Sequence, residues 1–445
     1  MSRGFESHTL RQTFSADPRP ERIRVSETKP PKRRSTVARH GQLSSPSAWG
    51  QIVRFVAVGL AVVMVAGVGV VSYTAYTAVA SFTDAAVELE GQAAVPPDIG
   101  EIEGGVNLFV AGTDACEPEY AQYFGDRCTG PDAGGELNDV NMLVHISDAP
   151  RRVTVVSFPR DLMLPIPECT DPETGRTSSA MSKQPLNSTF SYGGLSCAVN
   201  TISDLTGQNI PFAASITWGG VIEVTNAIGG VEVCIANGIT DYHTGLDLPE
   251  GNVTLQGIEA LQFLRTRHGV GNGGDLGRIS NQQQYMSRLA RKLISDEVLA
   301  NPATLYSLAG TALQNITPSA TLTNPLTLVQ IALAVKDVPF DEIVFISYPV
   351  LTDPSDSNRV VPNYAAAEEL WAALEANQPL QLSGEASQGD GVIVQSPEPT
   401  AEPAPEPSQE ATSGATPEPT ETAAVLPEAI AGQTAAMDTC SNGNG

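Results

Sequence analysis

The amino-acid sequence predicts an α/β fold, in which helices cover a mixed sheet, with one membrane-spanning helix before it and disordered ends. Short strands rich in β-branched residues alternate with segments of helical spacing through the middle of the chain. One uncharged apolar run near the N-terminus is long enough to cross a bilayer. Both ends of the chain are polar, which is typical of segments that bury too little apolar surface to fold.

Residues 1–54 form a basic arm with eleven Lys and Arg residues against four acidic ones, whereas the whole chain carries a net charge of −25. The arm shows no periodic pattern, so we expect it to be disordered. Residues 55–80 contain no charged side chain and are predicted to span the membrane once. The positive-inside rule then places the arm in the cytoplasm and the rest of the chain outside the cell membrane. We expect a stalk over residues 81–104.

The folded domain is predicted over residues 105–380. Its predicted strands are short, apolar and bounded by turn formers, and they are Val106–Ala111, Met142–Ile146, Val153–Phe158, Val231–Ile235 and Asp341–Ser347. Its predicted helices have apolar residues at helical spacing, and they are Ala198–Thr206, Trp218–Ala227, Gly257–Thr266 and Ile279–Ile294. Residues 381–445 are rich in Pro, Glu, Ala and Thr and contain no Lys or Arg, which predicts a disordered acidic tail.

Cysteine usage and net charge restrict the environment and the partners of the domain. All six cysteines follow the predicted span, as expected in an oxidising compartment. We expect disulfides between Cys116 and Cys128 and between Cys169 and Cys197, while the pairing of the other two cysteines stays open. The absence of CxxC and HExxH patterns argues against zinc, and the acidic charge argues against nucleic acid as a partner.

Two aspartates lie where charged residues meet apolar strands. Asp114 directly follows the first predicted strand, and Asp139 precedes the second. Carboxylates at the ends of neighbouring strands suit a hard divalent cation such as Mg²⁺. The alternative is that each aspartate caps a turn, as Asp commonly does after a strand.

The arginines of the domain indicate an anionic ligand. Arg160 follows a strand and a proline, although an Arg160–Asp161 surface pair explains that position as well. Arg265, Arg267 and Arg278 flank a glycine-rich loop that leads through Asp275 into a helix. Glycines allow close approach of the backbone, and a helix N-terminus favours anions, so the pattern favours a ligand with several phosphates. The alternative is a mobile loop with Asp275 as a helix cap.

Seven ordered motifs resemble the LytR–CpsA–Psr family of cell-wall glycopolymer ligases. The sequence contains no nucleophile elbow, P-loop or zinc signature that would favour another enzyme class. The matching segments read VNLFVAGTD, NDVNMLVHIS, VVSFPRD, LNSTFSYGG, AIGGVEV, ALQFLRTRH and GDLGRISNQQ. The resemblance covers about residues 105–295 and implies a domain built around an apolar cavity that holds a polyprenyl chain.

The resemblance also implies an activity and a set of site residues. It implies a phosphotransferase that moves a glycopolymer with its phosphate from a polyprenyl-pyrophosphate carrier onto peptidoglycan, with Mg²⁺ as cofactor. Asp114 and Asp139 would bind the metal, and Asp275 would orient the arginines or the metal shell. The residues implied to hold the pyrophosphate are Arg160, Arg265, Arg267, Arg278 and Gln282. The catalytic set would comprise Asp114, Asp139, Arg160, Arg267 and Asp275.

The sequence departs from the family pattern at two positions. Leu137 stands where the family commonly has an Arg two residues before the second aspartate, and Pro185 stands where it commonly has a Lys. Lys183 is close enough along the chain to be a candidate for the missing charge at the pyrophosphate site. Two other functions therefore stay open: a module that binds lipid pyrophosphates as a sensor, and a pyrophosphatase that hydrolyses the same lipids.

Overall fold

The computed structural model describes residues 48–96, 105–131, 135–172, 174–295, 298, 301–395 and 423–444. Residues 1–47 of the predicted cytoplasmic arm and residues 396–422 of the predicted tail lie outside the described residues. The first described element is an apolar helix, α1, which spans Ala48–Asp84. Among the described residues it alone is long and apolar enough to cross a membrane, over Gln51–Asp84. It begins before Phe55 and ends after Ala80 because no proline interrupts its flanks.

The other helices are α2 (Asp126–Thr129), α3 (Thr189–Thr206), α4 (Trp218–Ala227), α5 (Gly257–Arg265), α6 (Asp275–Ile294), α7 (Pro302–Asn315), α8 (Pro325–Val335) and α9 (Tyr364–Glu375). The strands are β1 (Val106–Thr113), β2 (Asn138–Ile146), β3 (Val153–Phe158), β4 (Met163–Ile166), β5 (Cys169–Thr170), β6 (Thr177–Ser178), β7 (Met181–Pro185), β8 (Phe212–Thr217), β9 (Val231–Ile235), β10 (Ile239–Asp241), β11 (Leu246–Leu248), β12 (Gly251–Leu255), β13 (Ile316–Pro318), β14 (Ile343–Ser347), β15 (Val350–Asp353), β16 (Asp356–Pro362), β17 (Leu380–Leu382), β18 (Val392–Val394), β19 (Ala424–Leu426), β20 (Gly432–Thr434) and β21 (Thr439–Ser441). The interleaving of strands and helices confirms the predicted α/β class.

A seven-stranded mixed sheet forms the centre of the domain, in the order β13-β8-β1-β2-β3-β14-β20. β1 pairs with β8 and β3 with β14 in parallel, whereas the other neighbours are antiparallel. Parallel neighbours need a crossover connection, which explains why helices follow these strands along the chain. The sequence-based prediction missed β8, a central strand that is short and flanked by Pro211 and Trp218.

Helices cover both faces of this sheet because its central strands are apolar on both sides. Along β1, Phe109 and Ala111 face a cluster with α3 and α9, while Leu108 and Val110 face the opposite cluster with α6 and α8. β3 alternates in the same way, as the two-residue period of a strand requires. The two faces therefore form two separate apolar layers on either side of one sheet.

A second, four-stranded sheet in the order β12-β9-β21-β18 packs against α5 and α6. Helix α6 lies between this sheet and the central one, and ten of its residues are buried. Among them are four consecutive polar residues, Asn281 to Gln284, in a helix that was predicted from the spacing of its apolar residues. Gln284 is buried because the second sheet covers this part of α6 with the predicted strand β9 and with β21, which the sequence-based prediction did not include.

Helices α7, α8 and α9 were not predicted from the sequence, although each begins at an asparagine cap. Asn301 accepts hydrogen bonds from the backbone N–H groups of Ala303 and Thr304, and Asn324 accepts one from Leu326. A proline occupies the first turn in both helices, where its fixed φ favours the helix and no N–H is lost. Asn363 caps α9 in the same manner by accepting from Ala366.

The prediction that the folded domain ends at residue 380 and that a disordered tail follows is wrong for the described part of the tail. β20 pairs with the edge of the central sheet, β19 pairs with β17, and β21 joins β9 to β18. The prediction rested on the Pro-, Glu-, Ala- and Thr-rich composition of residues 396–422 and overlooked the short apolar stretches that follow them. The last strands fold because each adds to a sheet edge that the domain already presents.

The predicted stalk over residues 81–104 also contacts the domain where the structure describes it. Val87 donates its N–H to the Pro318 carbonyl and accepts from Ala320, which adds a short bridge beside β13. Glu90 donates its N–H to the Ser196 hydroxyl. Residues 85–96 are therefore part of the folded domain rather than a spacer, while residues 97–104 lie outside the described residues.

Three disulfides join the six cysteines, and both predicted pairs, Cys116–Cys128 and Cys169–Cys197, are confirmed. The pair left open by the sequence is Cys234–Cys440, which ties β9 to β21 across 206 residues of chain. Gly193 lies directly against the second disulfide: a Cβ there would come within 2.9 Å of the Cys169 Cβ and 3.0 Å of the Cys197 Cβ. Only glycine fits at that point of α3.

Removal of the Cys234–Cys440 disulfide should destabilise the domain more than removal of Cys116–Cys128. The first closes a loop of 206 residues and the second a loop of 12, and a longer loop gains more entropy in the unfolded chain. We expect the Cys234→Ser/Cys440→Ser variant to lose about 2–5 kcal/mol of unfolding free energy. Urea unfolding of both double variants provides the measurement, and equal losses would contradict the prediction.

His145 should make the domain less stable in mild acid. Burial lowers the pKa of this imidazole from 6.5 to about 4, and its Nδ1 is 2.9 Å from the Asn107 amide oxygen. The unfolded chain takes up a proton as the pH falls below about 6.5, whereas the folded chain does so only near pH 4. Stability is therefore fully present above pH 6.5 and is lost between pH 6.5 and 4, by up to about 3 kcal/mol.

Urea unfolding of the wild type and of His145→Gln between pH 7.5 and 4.5 checks this expectation. The glutamine retains a polar partner for Asn107 but does not titrate in this range. The wild type should lose more stability than the variant as the pH falls, because other acidic groups contribute equally to both. Parallel pH profiles for the two proteins would show that His145 does not carry the effect.

Candidate active site

A polar cavity of about 240 Å³ brings together residues from five separate segments of the chain. They come from the start of β2, the turn after β3, the β10–β11 hairpin, the loop after α5 and the first turn of α6. The lining residues are Asp139, Arg160, Asp241, His243, Thr244, Arg265, Arg267, His268 and Arg278. Four of these nine side chains are arginines, in a chain whose net charge is −25, so positive charge is concentrated at this cavity.

The end of α5 and the start of α6 position three of the four arginines. Arg265 is the last residue of α5, and Arg278 lies in the first turns of α6. Two amides of α6 hold the end of α5: Asn281 donates to the Phe263 carbonyl at 3.0 Å and Gln282 to the Leu264 carbonyl at 2.7 Å. Gln282 therefore orients the segment that carries Arg265, and its side-chain NH₂ already has a backbone acceptor.

The glycine-rich loop between these helices is held by the C-terminal strands and their flanking residues. Gly271 donates its N–H to the Asn442 carbonyl at 2.9 Å, and Asn272 donates its N–H to the Gly389 carbonyl at 3.0 Å. The Asn444 amide donates to the His268 carbonyl at 3.0 Å. The alternative of a mobile loop is thus wrong, because segments from the predicted tail fix its backbone at several points.

The carboxylates of Asp139 and Asp275 lie among the arginines. Asp139 Oδ1 is 2.6 Å from Arg160 Nη1, and its backbone carbonyl accepts a hydrogen bond from Arg278 Nη2 at 3.1 Å. Asp275 Oδ1 is 2.7 Å from Arg278 Nη2 and within 3.8 Å of the Nε atoms of Arg160 and Arg267. These contacts bring three of the predicted arginines and two of the predicted aspartates together in one cluster.

Several buried polar atoms of this cluster have no hydrogen-bond partner among the described residues. They are Arg160 Nε, Arg278 Nε and both carboxylate oxygens of Asp275. The ion-pair distances around Asp275 are short, but their angles do not form hydrogen bonds. Buried polar groups in folded proteins are nearly always hydrogen-bonded, so such a concentration indicates groups that face a ligand.

Electrostatics keep the cluster charged despite its burial. Burial lowers the pKa of Arg160, but attraction by Asp139 and Asp275 outweighs it, and the pKa of the guanidinium is raised overall. Burial raises the pKa of Asp161 against the opposing effect of Arg160. Arg265 has its pKa lowered by burial, yet an arginine stays protonated in proteins. The cavity therefore presents permanent positive charge.

Aromatic rings support Arg265 from behind. Its guanidinium carbon lies 3.9 Å from the centroid of the Trp218 ring and 5.2 Å from that of Phe124, and the two rings are 4.2 Å apart. Such cation–π contacts hold a guanidinium in place while its N–H edges stay available. The sequence-based analysis missed both rings, because Trp218 starts α4 and Phe124 lies in the loop closed by the Cys116–Cys128 disulfide, far from the motifs in sequence.

Asp114 is buried, but its carboxylate is paired with an arginine that the sequence-based analysis missed. Arg127 Nε is 2.7 Å from Asp114 Oδ2, and Arg127 Nη2 is 2.7 Å from Oδ1. The backbone N–H of Leu137 also donates to Oδ1 at 2.7 Å. The position of Arg127 directly before Cys128 was the available signal, since the disulfide returns this residue to the end of β1.

These contacts do not fit the predicted magnesium site. Both oxygens of Asp114 accept from Arg127, and Asp139 Oδ1 contacts Arg160, so a cation would have to displace guanidinium groups. Within the described ranges, no three His, Cys, Asp or Glu side chains come together as metal ligands do. We therefore assign no step of the chemistry to a metal ion.

Lys183 does not join the arginine cluster in the structure. Its ammonium group lies 2.6 Å from Asp353 Oδ2 and donates to the Ser355 hydroxyl, at the β15–β16 hairpin. The hydrogen bond from Lys183 lowers the pKa of Asp353 to about 2. Neither of the two cavities described here has Lys183 in its lining. The cation missing at Pro185 is thus not supplied by Lys183 in this arrangement.

A second polar cavity, of about 560 Å³, adjoins the first and shares Arg267 with it. Its wall includes Asp275 and the glycines of the loop on one side, and the tip of the β15–β16 hairpin on the other. Arg359 of that hairpin pairs with Asp161. Arg267 therefore lies between two polar cavities. The first cavity has more arginines in its lining, and the second has the larger volume.

The sequence profile of the LytR_cpsA_psr family matches residues 70–376 of the chain. The chain belongs to the LytR–CpsA–Psr family. The matched range includes Asp114, Asp139 and every arginine of the first cavity. It also includes Gly193 and Gly194, whose non-helical backbone angles kink α3. The resemblance that the ordered motifs predicted is confirmed.

Relatives within the LytR–CpsA–Psr family are named for cell-wall biosynthesis. The chain is 28% identical over 235 residues to the cell wall biosynthesis protein LcpA of Corynebacterium glutamicum, covering 49% of this chain and 44% of that protein. It is 30% identical over 176 residues to the polyisoprenyl-teichoic acid–peptidoglycan teichoic acid transferase TagU of Enterococcus faecalis, covering 39% of this chain and 53% of that protein. The match thus spans about half the length of each of these relatives.

A solved LytR-Csp2A-Psr enzyme from Actinomyces oris aligns with a TM-score of 0.48 at 22% sequence identity. The alignment covers 65% of this chain and 95% of that structure.

Loss of the aromatic ring beneath Arg265 should weaken anion binding by the arginine-lined cavity of this LytR–CpsA–Psr protein. Trp218→Leu removes the ring beneath the guanidinium, whereas Trp218→Phe retains an aromatic face. Loss of a partly buried cation–π contact of about 1–2 kcal/mol corresponds to about 5- to 30-fold weaker binding. Titration calorimetry with inorganic pyrophosphate measures the effect, and equal affinities for the two variants would contradict it.

Proposed function

We propose that this chain is a membrane-anchored phosphotransferase that moves a glycopolymer, with its phosphate, from a polyprenyl-pyrophosphate carrier onto peptidoglycan. The observation that carries the proposal is the convergence of Arg160, Arg265, Arg267 and Arg278 on one cavity. Next to it lies the Asp275 carboxylate, whose buried oxygens have no hydrogen bond among the described residues. A pyrophosphate group carries several negative oxygens in a small volume, and guanidinium groups bind such oxygens in pairs. Family membership and the names of the relatives support the cell-wall context.

The proposed reaction breaks the phosphoanhydride bond of the donor and forms a new phosphate ester with the acceptor. A hydroxyl group of peptidoglycan attacks the phosphorus that carries the sugar, the P–O bond between the two phosphates breaks, and polyprenyl phosphate leaves. The arginines stabilise the negative charge that develops on the phosphate oxygens, in a buried site where such contacts are strong. Asp275 is the candidate acceptor for the hydroxyl proton, because both of its oxygens lack hydrogen bonds among the described residues.

The membrane topology and the lipid site are parts of the same proposal. Helix α1 would anchor the chain, with the basic arm inside the cell and the domain outside, where disulfides persist. The apolar cavity for the polyprenyl chain stays a prediction from the resemblance. Phe158 and Leu162, on either side of Arg160 in the sequence, belong to a packed apolar cluster of the domain. The magnesium requirement stays a prediction from the resemblance, and the proposed steps do not use it.

Arg267→Ala should lower transfer by at least about 100-fold, as expected for removal of one donor to a charged transition state. The full chain in detergent would be incubated with a polyprenyl-pyrophosphate-linked oligosaccharide and peptidoglycan fragments, and products identified by mass spectrometry. Arg151→Ala is the matched control, because Arg151 pairs with Asp148 away from both cavities. It should retain wild-type turnover.

The products distinguish the proposed function from its alternatives. A sugar-phosphate adduct on the peptidoglycan fragment, together with polyprenyl phosphate, supports transfer. Polyprenyl phosphate with a sugar phosphate in solution and no adduct would indicate a pyrophosphatase. Lipid that binds and is recovered intact would indicate a sensor. Either of the last two results would overturn the proposal.

A further inference from the structure

The carboxylate of Asp114 has an unusual environment for a residue at the end of a strand. It is only 4% exposed, and its partner Arg127 reaches it from a loop closed by the Cys116–Cys128 disulfide. The guanidinium contacts both carboxylate oxygens in the two-pronged geometry that gives the strongest ion pairs. A second donor of Arg127 goes to the Gly135 carbonyl, on the segment that leads to β2.

Backbone hydrogen bonds fix Leu137 against Asp114. Asp114 donates its N–H to the Leu137 carbonyl at 3.1 Å, and Leu137 donates its own N–H to Asp114 Oδ1 at 2.7 Å. A side chain at position 137 therefore starts beside this carboxylate. Leu137 carries no charge there, and Arg127 brings a guanidinium to the same carboxylate from a different part of the chain.

The loop that carries Arg127 is built into the domain at several points. Glu117 accepts from the Thr217 hydroxyl at 2.9 Å and from the Gly219 N–H at 2.7 Å, at the start of α4. Tyr120 donates to Glu223 at 2.6 Å, and Phe124 packs on Trp218. The disulfide and these contacts hold Arg127 in place, so its pairing with Asp114 is part of the architecture of the loop.

We propose that Arg127 is the resident cation of Asp114, and that it takes the place there both of a divalent metal and of an arginine at position 137. A metal ion bound by Asp114 would have to displace the guanidinium and would then face it as a like charge in a buried site. The inference deepens the proposed function, because it assigns Arg127 as a positioning residue of the same site, and it rests on that function only for turnover.

The proposal predicts a metal site that appears when Arg127 is removed. In Arg127→Ala the buried carboxylate of Asp114 loses its cation, and Mn²⁺ should bind at least tenfold more tightly than to the wild type. Arg127→Lys retains one positive charge but cannot donate to both Asp114 oxygens as the guanidinium does, and its Mn²⁺ affinity should stay close to that of the wild type. The second variant also shows whether the loop folds without the guanidinium.

Position 137 provides the decisive control. Leu137→Arg placed in the Arg127→Ala background returns a guanidinium to Asp114 along the neighbouring backbone. This double variant should lose the added Mn²⁺ affinity and regain most of the transfer lost by Arg127→Ala. If Arg127 only tied its loop to the domain, Leu137→Arg would restore nothing, because residue 137 lies outside the loop closed by Cys116 and Cys128.

Mn²⁺ titration of the full chain in detergent, followed by electron paramagnetic resonance of the unbound ion, measures the affinity without any substrate. The proposal is overturned if Arg127→Ala binds Mn²⁺ no more tightly than the wild type, or if Leu137→Arg fails to reverse the change. The expected Mn²⁺ pattern in a protein without transfer activity would remove the proposed function and leave this inference standing.

Discussion

Four consecutive amide side chains on α6 connect the parts of the domain that meet at the cavity. Asn281 and Gln282 hold the end of α5, Gln283 reaches Ser347 at the end of β14, and Gln284 binds backbone carbonyls of β9 and β21. A buried amide without partners costs stability, so these four fix the relative position of the elements that satisfy them. Arg278 lies one turn before this row, and Asp275 lies at the start of the helix. The geometry of the charged cluster therefore follows from the polar core of one helix.

The same constraint explains why so much charge is stable inside the domain. Arg278 is 4% exposed, and an isolated guanidinium at such a position would cost far more than a single ion pair returns. Its stability depends on Asp275, on the carbonyl of Asp139, and on the neighbouring arginines being held apart by their own partners, such as Trp218 beneath Arg265. The proposed ligand, with its several negative oxygens, would supply the compensation that the protein leaves incomplete.

Local patterns were enough to predict β1, β2, β3 and β14 of the central sheet, the apolar helix α1, four helices of the domain and the arginines of the cavity, because each has a clear apolar or charged signature over a few residues. Long-range pairing could not be predicted in this way. Arg127 and Asp114 are brought together by a disulfide, and Phe124 and Trp218 meet beneath Arg265 through tertiary packing. The strands after residue 423 have three residues each, and they fold only because sheet edges formed by earlier residues accept them. The amino-acid composition of a short stretch of sequence does not show which distant strand it will pair with.

The attachment of β21 beside β9 also orders events during biosynthesis. Cys234 and its strand are made 206 residues before Cys440, and the outermost strand of the central sheet, β20, lies at residues 432–434. A nascent chain can therefore form the central sheet from β13 to β14 and pair β9 with β12 before β20 and β21 are made. Contacts of such long sequence separation form late and slowly. The domain closes only after β20 and β21 have left the ribosome. Until then the unpaired edges of β14 and β9 need protection from pairing with other chains.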